Sequence, residues 1–304
     1  MRPHESSQRS VAARLRAEKG HDSNGSGHHM GRLDGQVAFI TGAARGQGRS
    51  HAVRLAEEGA DIIAVDITAQ VDSVPYPLAT AADLAETVRV IEALDRRIVA
   101  RNADVRDAAA LDAAVKDGLA QFGRLDIVLA NAGISSPAPT LEMSEQTWQD
   151  MIDINLTGVW KTLKVSVPHI IAGGRGGAVV ITSSLAAIHA NANTAHYAAS
   201  KAGLIMLAKV MAKELAEHSI RVNTLHPTTV ATDMILNEAT YRLFRPDLAN
   251  PGRSDFEVAA RRLNRLPVAA LDVRDISESI LFLVSASGRY VTGTTHVVDA
   301  GGVL

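Results

Sequence analysis

Tyr197 and Lys201 stand four residues apart, with Ser184 thirteen residues upstream of the tyrosine. On a helix that spacing puts phenol and ammonium on one face, where the side chains meet. An ammonium beside a phenol favours the phenolate, so the expectation is a tyrosine pKa lowered from its usual value of about 10. Such a tyrosine serves as a general acid or base near neutral pH, and a serine hydroxyl nearby can hold the same substrate oxygen. The pair points to proton transfer at an alcohol or carbonyl. Ser183, adjacent to Ser184, is the nearest alternative for that hydroxyl. His189 and His196 flank the site and read as rim or structural histidines.

A second constellation opens the chain's ordered part. Val37-Ala38-Phe39-Ile40 is a short apolar run, followed by Thr41-Gly42-Ala43-Ala44-Arg45-Gly46-Gln47-Gly48 and an amphipathic stretch ending at Gly59. Strand, glycine turn and helix together form a dinucleotide cradle: glycines admit the pyrophosphate, and the helix N-terminus offers free amides. The next apolar run, Asp61 to Val65, ends in Asp66, whose carboxylate can accept both adenosine ribose hydroxyls. Arg45 pulls the other way, since a cation in the glycine loop attracts a 2′-phosphate. Two unit charges 4 Å apart interact by about 1 kcal/mol in water and about 4 kcal/mol at an effective dielectric of 20. Asp66 adds hydrogen bonds to repulsion, so NAD is expected rather than NADP, and Arg45 also reads as a solvated surface charge.

These groups must be carried by a scaffold, and strand and helix signals alternate from Gly31 to the C-terminus. Strands are expected at 37–41, 61–66, 97–103, 127–131, 177–182, 220–225 and 295–299. Helices are expected at 46–58, 80–95, 107–122, 144–171, 195–217, 255–264 and 273–285. The alternation predicts an α/β fold: one Rossmann-type, doubly wound domain over 31–304, a seven-stranded parallel sheet with helices on both faces. Residues 233–267 are poor in strand signal, hold Pro246 and Pro251, and read as a lid over the substrate. Residues 1–30 are rich in Ser, Arg, Gly and His and read as a flexible extension upstream of a start at Met30. A short helix there over Val11 to Lys19 would have no apolar face to anchor it, and His28-His29 is a weak metal signal.

The spacings Thr41-Gly42-x-x-x-Gly46-x-Gly48 and Ser184…Tyr197-x-x-x-Lys201 together resemble the short-chain dehydrogenase/reductase family. The resemblance runs from Gly31 to the C-terminus. It assigns Asn131-Ala132-Gly133 to the end of the fourth strand, and Asp104-Val105 to the adenine contact. Asn155 completes a catalytic tetrad with Ser184, Tyr197 and Lys201. The glycine exit of the last strand is Thr294 to Gly302. Cofactor contacts then comprise Gly42, Arg45, Gly46, Gln47, Gly48, Asp66, Asp104, Val105, Asn131, Ala132, Gly133, Tyr197, Lys201, Pro227, Val230 and Thr232, with Thr232 at the nicotinamide carboxamide. One departure stands out: the family's usual Pro-Gly after the sixth strand is replaced by Pro227-Thr228. The resemblance implies that Tyr197 takes the hydroxyl proton as hydride leaves, that Lys201 binds the nicotinamide ribose, and that Asn155 holds a water in a proton relay; only Ser184 has the family's thirteen-residue spacing, so Ser183 reads as backbone support.

A narrower resemblance rests on Gly31 to Ile40, Arg45 to His51, the run from His226 to Thr232, and extra residues at about Thr68 to Thr80. These are similar to the mycofactocin-coupled, carveol-dehydrogenase-like short-chain dehydrogenases. That group implies a tightly held NAD re-oxidised by mycofactocin, with the extra segment as its cover. The substrate expectation is a modest, mostly apolar secondary alcohol, terpenoid-like, or the corresponding ketone. Its candidate contacts are Ile134, Ser135, Ala186, His189, Met234, Ile235, Tyr241 and Phe244. Met206, Leu207 and Met211 read as packing. Relatives of this type are usually tetramers, with helices near 107–122 and 144–171 at one interface.

Composition narrows the alternatives. Hydrophobic residues make up 46% of 304, enough for a sizeable core. Lysine plus arginine number 31 against 33 acids, without a basic, aromatic-laced stripe, so no nucleic-acid partner is expected. The chain has no cysteine, so neither a disulfide nor a thiolate metal site is available, and no metal is expected. No apolar run reaches about 18 residues and no basic-then-apolar leader is visible, so a cytoplasmic protein without a membrane partner is expected. Two rivals remain: a ketone reductase with freely exchanging NAD(P)H, and a non-enzymatic dinucleotide sensor, against which the intact quartet argues.

Overall fold

The computed structural model describes residues 31–304. The readings placed on 1–30, including the short helix and His28-His29, lie outside the described residues. Seven parallel strands form one sheet in the order β3-β2-β1-β4-β5-β6-β7. They are β1 (Val37–Thr41), β2 (Asp61–Asp66), β3 (Ile98–Asn102), β4 (Ile127–Ala130), β5 (Gly177–Thr182), β6 (Ile220–Pro227) and β7 (Thr295–Val298). The central strands are buried along their whole length, because helices cover both faces; that is why they read as unbroken apolar runs.

Alternating residues of each strand feed two cores. Phe39, Ile63, Val65 and Val128 face one helical layer, made by α3 (Ala108–Phe122), α5 (Gly158–Gly173) and α6 (Ala195–Glu214). Ala38, Ile40, Ile62, Ala64 and Leu129 face the other, made by α1 (Gly46–Glu57), α2 (Ala81–Glu92) and α9 (Val273–Val284). Caps fix the helix starts: Thr80 and Asp83 bond each other's backbone N–H at α2, and Asp107 and Asp272 accept N–H groups at α3 and α9. The strand order reverses about β1 and β4, which opens a crevice at their carboxyl ends.

Three expectations need correction. The helix expected over 144–171 is two helices, α4 (Glu145–Ile152) and α5, joined by a π turn at Asp153–Thr157. That extra residue per turn turns Asn155 inward to full burial. The segment 233–267 holds a helix not anticipated, α7 (Glu238–Phe244), before α8 (Arg253–Leu263). Both pack through aromatic rings, Tyr241 and Phe244 lying 5.5 and 4.9 Å from the buried ring of Phe256. Finally Met206, expected to pack, is 61% exposed, whereas Leu207 and Met211 do lie against the core.

Candidate active site

The turn from β1 into α1 is as tight as its glycines demand. Gly42 has φ +68°, and a Cβ on Gly48 would lie 2.0 Å from the Gly42 carbonyl oxygen. Only glycine lets that helix start so close to the strand. Asn131 locks the neighbouring strand ends, its Nδ2 donating to the Thr41 carbonyl and its Oδ1 accepting from Thr182 Oγ1. Ala132 N–H donates to Thr41 Oγ1. The result is a cleft along the carboxyl edge of the sheet.

Most of the expected cofactor residues line this one cleft: Gly42, Arg45, Gly46, Gln47, Gly48, Asp66, Asp104, Val105, Asn131, Ala132, Gly133, Tyr197, Lys201 and Thr232. Asp66 Oδ2 accepts the Ala44 N–H at 3.0 Å, and the Ile67 and Thr68 amides also point to the carboxylate. Burial nevertheless pushes its pKa upward. Pro227 and Val230 do not line the cleft: Pro227 closes the β6–β7 pairing, and Val230 is buried against Leu271. Asp104 lines the wall, yet its carboxylate holds Arg106 through the backbone N–H and Nε.

The proton-transfer group assembles from α6, the π turn and the loop after β5. Lys201, 3% exposed, donates from Nζ to the Thr182 carbonyl at 2.9 Å and sits 5.7 Å from the Tyr197 ring centroid. Burial drives its pKa down to about 8. Here the expected acidification fails. Burial raises the Tyr197 phenol, the neighbouring Ser184 hydroxyl alone pulls it back, and Lys201 directs an N–H to the Thr182 carbonyl. Ser184 caps a short turn by accepting the Ala186 N–H.

Asn155 stays behind the cleft wall. Its Oδ1 accepts the Ile134 N–H at 2.8 Å and its Nδ2 donates to the Ile134 carbonyl at 2.9 Å. A Cβ on Gly133 would come 3.2 Å from that Oδ1 and 3.3 Å from Lys201 Nζ, so both side chains crowd the same glycine. Ser183 Oγ donates to the Lys201 carbonyl, as a backbone support should, and the residue also lines the cleft. His196 is fully buried, bonded to Ser136 and stacked on Trp148, while His189 is exposed. Of the expected substrate contacts, Ile134 and Met234 reach the cleft. Ser135, Ala186, His189, Ile235, Tyr241 and Phe244 do not; the two aromatic residues are taken up by Phe256.

Four residues outside the cradle motifs become visible only in three dimensions. Val71, Tyr76, Leu78 and Ala79, all from the extra segment after β2, close one side of the cleft. Tyr76 is 5% exposed and its Oη accepts the Ser135 N–H at 3.1 Å. Arg45 is not a solvated charge. It pairs with Asp233 at 2.9 Å and donates to the Pro77 carbonyl, joining the segment after β2 to the one after β6. With its guanidinium held twice, it is poorly placed to select a 2′-phosphate.

The residues 36–241 match the family model described as short chain dehydrogenase. The chain belongs to the short-chain dehydrogenases. Among relatives, it is 54% identical over 276 residues to the (-)-trans-carveol dehydrogenase of Rhodococcus erythropolis, covering 90% of this chain and 100% of that one. Among solved structures, the carveol dehydrogenase of Mycobacterium avium in complex with NAD superposes with TM-score 0.88 at 54% identity. That match covers 90% of this chain and 99% of the other. A short chain dehydrogenase of Mycobacterium paratuberculosis bound to NAD gives TM-score 0.82 at 44% identity, with the same coverage. This short-chain dehydrogenase fits a dinucleotide on its own evidence: the glycine turn a Cβ would fill, and Gln47 Oε1, buried in the cleft without a hydrogen-bond partner. Leaving a buried acceptor unpaired costs about 1–3 kcal/mol. Among the described residues no group of acidic, histidine or cysteine side chains has metal-binding geometry, and no helix is long and apolar enough to cross a membrane.

Proposed function

We propose that this chain is an NAD-dependent dehydrogenase of a secondary alcohol, terpenoid-like in the manner of carveol. Its NAD is held tightly and re-oxidised in place by mycofactocin rather than exchanged. The fastening of the segment after β2 carries this reading. Ser73 Oγ donates to Asp150 at 2.7 Å, Tyr76 accepts Ser135 N–H, and Arg45 holds the Pro77 carbonyl. The Gln70 carboxamide ties the segment to itself, donating to the Val71, Val74 and Tyr76 carbonyls and accepting the Leu78 N–H. A cleft strapped on that side favours a resident cofactor over a diffusing one.

In this reading the glycine turn and the amides of α1 hold the pyrophosphate, Asp66 the adenosine ribose, and Lys201 the nicotinamide ribose. When bound, NAD supplies the acceptor for the hydride from the carbinol carbon. Ser184 Oγ and Tyr197 Oη hold the substrate oxygen, and Tyr197 takes its proton. Asn155 positions the Ile134 backbone beside Lys201, with a water linking Lys201 to solvent. Segment 233–267 serves as the substrate lid. The same likeness implies a cytoplasmic tetramer; the exposed Trp160 on α5 and Met206 and Val210 on α6 offer apolar surface for it.

Mass spectrometry of nucleotide released from the denatured chain tests the reading, together with an alcohol panel run with added NAD⁺ or an artificial electron acceptor. NAD in near-stoichiometric amount and turnover only with the acceptor are expected. Rapid turnover on added NAD⁺ alone would establish the freely exchanging dehydrogenase or reductase instead. Bound nucleotide with no turnover on any alcohol or ketone would point to a sensor.

A further inference from the structure

Gln47 occupies the first turn of α1 between two glycines, and its Oε1 is buried with no donor within reach. Among the described residues two other buried side-chain polar atoms lack partners, His51 Nε2 and His196 Nδ1, but neither residue lines the cleft. Gln47 does. Its end of the cleft is fixed by its neighbour: a Cβ on Gly46 would touch Thr232 Cγ2 at 3.4 Å, so α1 meets the segment after β6 here. Thr232 and Met234 form that wall, and Tyr197 and Lys201 lie in the same cleft, whereas Asp66 and Asp104 mark the ends of β2 and β3.

A buried acceptor calls for a donor, and a dinucleotide has few. Its adenine amino group belongs with Asp104 at the far end. Its ribose hydroxyls are matched by Asp66 and Lys201. The donor left over is the N–H of the nicotinamide carboxamide. We propose that Gln47 is a positioning residue for the nicotinamide, its Oε1 accepting the carboxamide N–H and so fixing which face of the ring is turned to Tyr197. The inference rests on the dinucleotide occupying the cleft as described above. A hydrophobic residue at this position would leave the carboxamide to the Thr232 side of the cleft alone; the glutamine adds an acceptor from α1 at the cost of an orphaned oxygen before the cofactor arrives.

The test pairs a residue change with a ligand change. Full-length chain freed of endogenous nucleotide is titrated calorimetrically with NAD⁺ and with 3-acetylpyridine adenine dinucleotide, in which a methyl ketone replaces the amide. The unaltered chain is expected to bind NAD⁺ about tenfold more tightly, the size of one well-made buried hydrogen bond. Gln47→Met should bind both ligands equally, at the affinity of the analogue, while Gln47→Glu, which retains the acceptor, should keep the preference. A preference retained in Gln47→Met, or an equal loss for both ligands, would overturn the proposal alone. Absence of NAD⁺ binding by the unaltered chain would remove it together with the cofactor reading.

Discussion

Tyr197 enters the site protonated and half-buried, with Ser184 at its hydroxyl and Lys201 turned to a carbonyl. Its phenol is therefore set to donate, and in the oxidative direction it needs positive charge nearby before it can accept. Tyr197→Phe should lower kcat by about 10²–10⁴-fold while leaving NAD⁺ affinity near its original value, since ring packing survives and only the proton carrier is lost. Calorimetry beside steady-state rates separates the two; full activity would remove the assigned proton transfer. Lys201→Met should move the limb of the kcat–pH profile to higher pH, because the nearest cation to the phenol is gone. An unmoved limb would mean that Lys201 does no more than bind the cofactor. The Tyr197–Lys201 pair was readable because helix periodicity alone brings the two residues together. The electrostatics were not, because whether an ammonium faces a phenol or a carbonyl depends on β5 ending at Thr182, a contact between distant segments.

Elements whose shape follows local rules were legible: the strands, buried on both faces, announced themselves as apolar runs, and the glycine turn as a steric necessity. The π turn that swings Asn155 inward was hidden, since its sequence reads as uninterrupted helix. Helix α7 was hidden as well, its Tyr241 and Phe244 being recruited by Phe256, twelve residues beyond Phe244. The strap after β2 showed only as extra length. Its Ser73 and Tyr76 acquire meaning from Asp150 and Ser135, which come from distant parts of the chain. The strap makes its own prediction. Arg45→Ala severs the link to both Pro77 and Asp233, and combined with Tyr76→Phe it leaves the segment held through Ser73. Bound cofactor should then dissociate faster by about tenfold or more, followed for the reduced form, NADH, by the loss of its fluorescence after dilution into excess competing nucleotide. Hydride transfer in a single turnover should hardly change. An unaltered dissociation rate would show that these anchors do not retain the cofactor.

At the scale of the molecule, α1 couples the cleft to stability through its outer face, where it meets α9. His51 is fully buried there, bonded to Ser277 Oγ through Nδ1, and burial drives its pKa down to about 3. Glu58, just past the helix end, is drawn down to about 2, first by Arg32 and further by Arg54. Both folded values lie below their unfolded ones, about 6.5 and 4.5, so in each case the unfolded chain binds more protons and stability is lost as the pH is lowered. The windows differ. The contribution of His51 is intact above about pH 6.5 and is lost progressively towards 3. That of Glu58 is intact above about 4.5 and is lost towards 2. His51→Leu removes the first: denaturant unfolding at pH 7 should change by only about 1 kcal/mol, because Ser277 Oγ still donates to the Val273 carbonyl. Between pH 6 and 4 the variant's stability should stay flatter than that of the unaltered chain. Glu58→Gln should leave the slope above pH 5 intact and weaken the one below it, with an overall loss at pH 7 as Arg32 and Arg54 lose their shared carboxylate. If His51→Leu kept the full slope between pH 6 and 4, the acid sensitivity of this fold would lie in its carboxylates, and the α1–α9 contact would have no part in it.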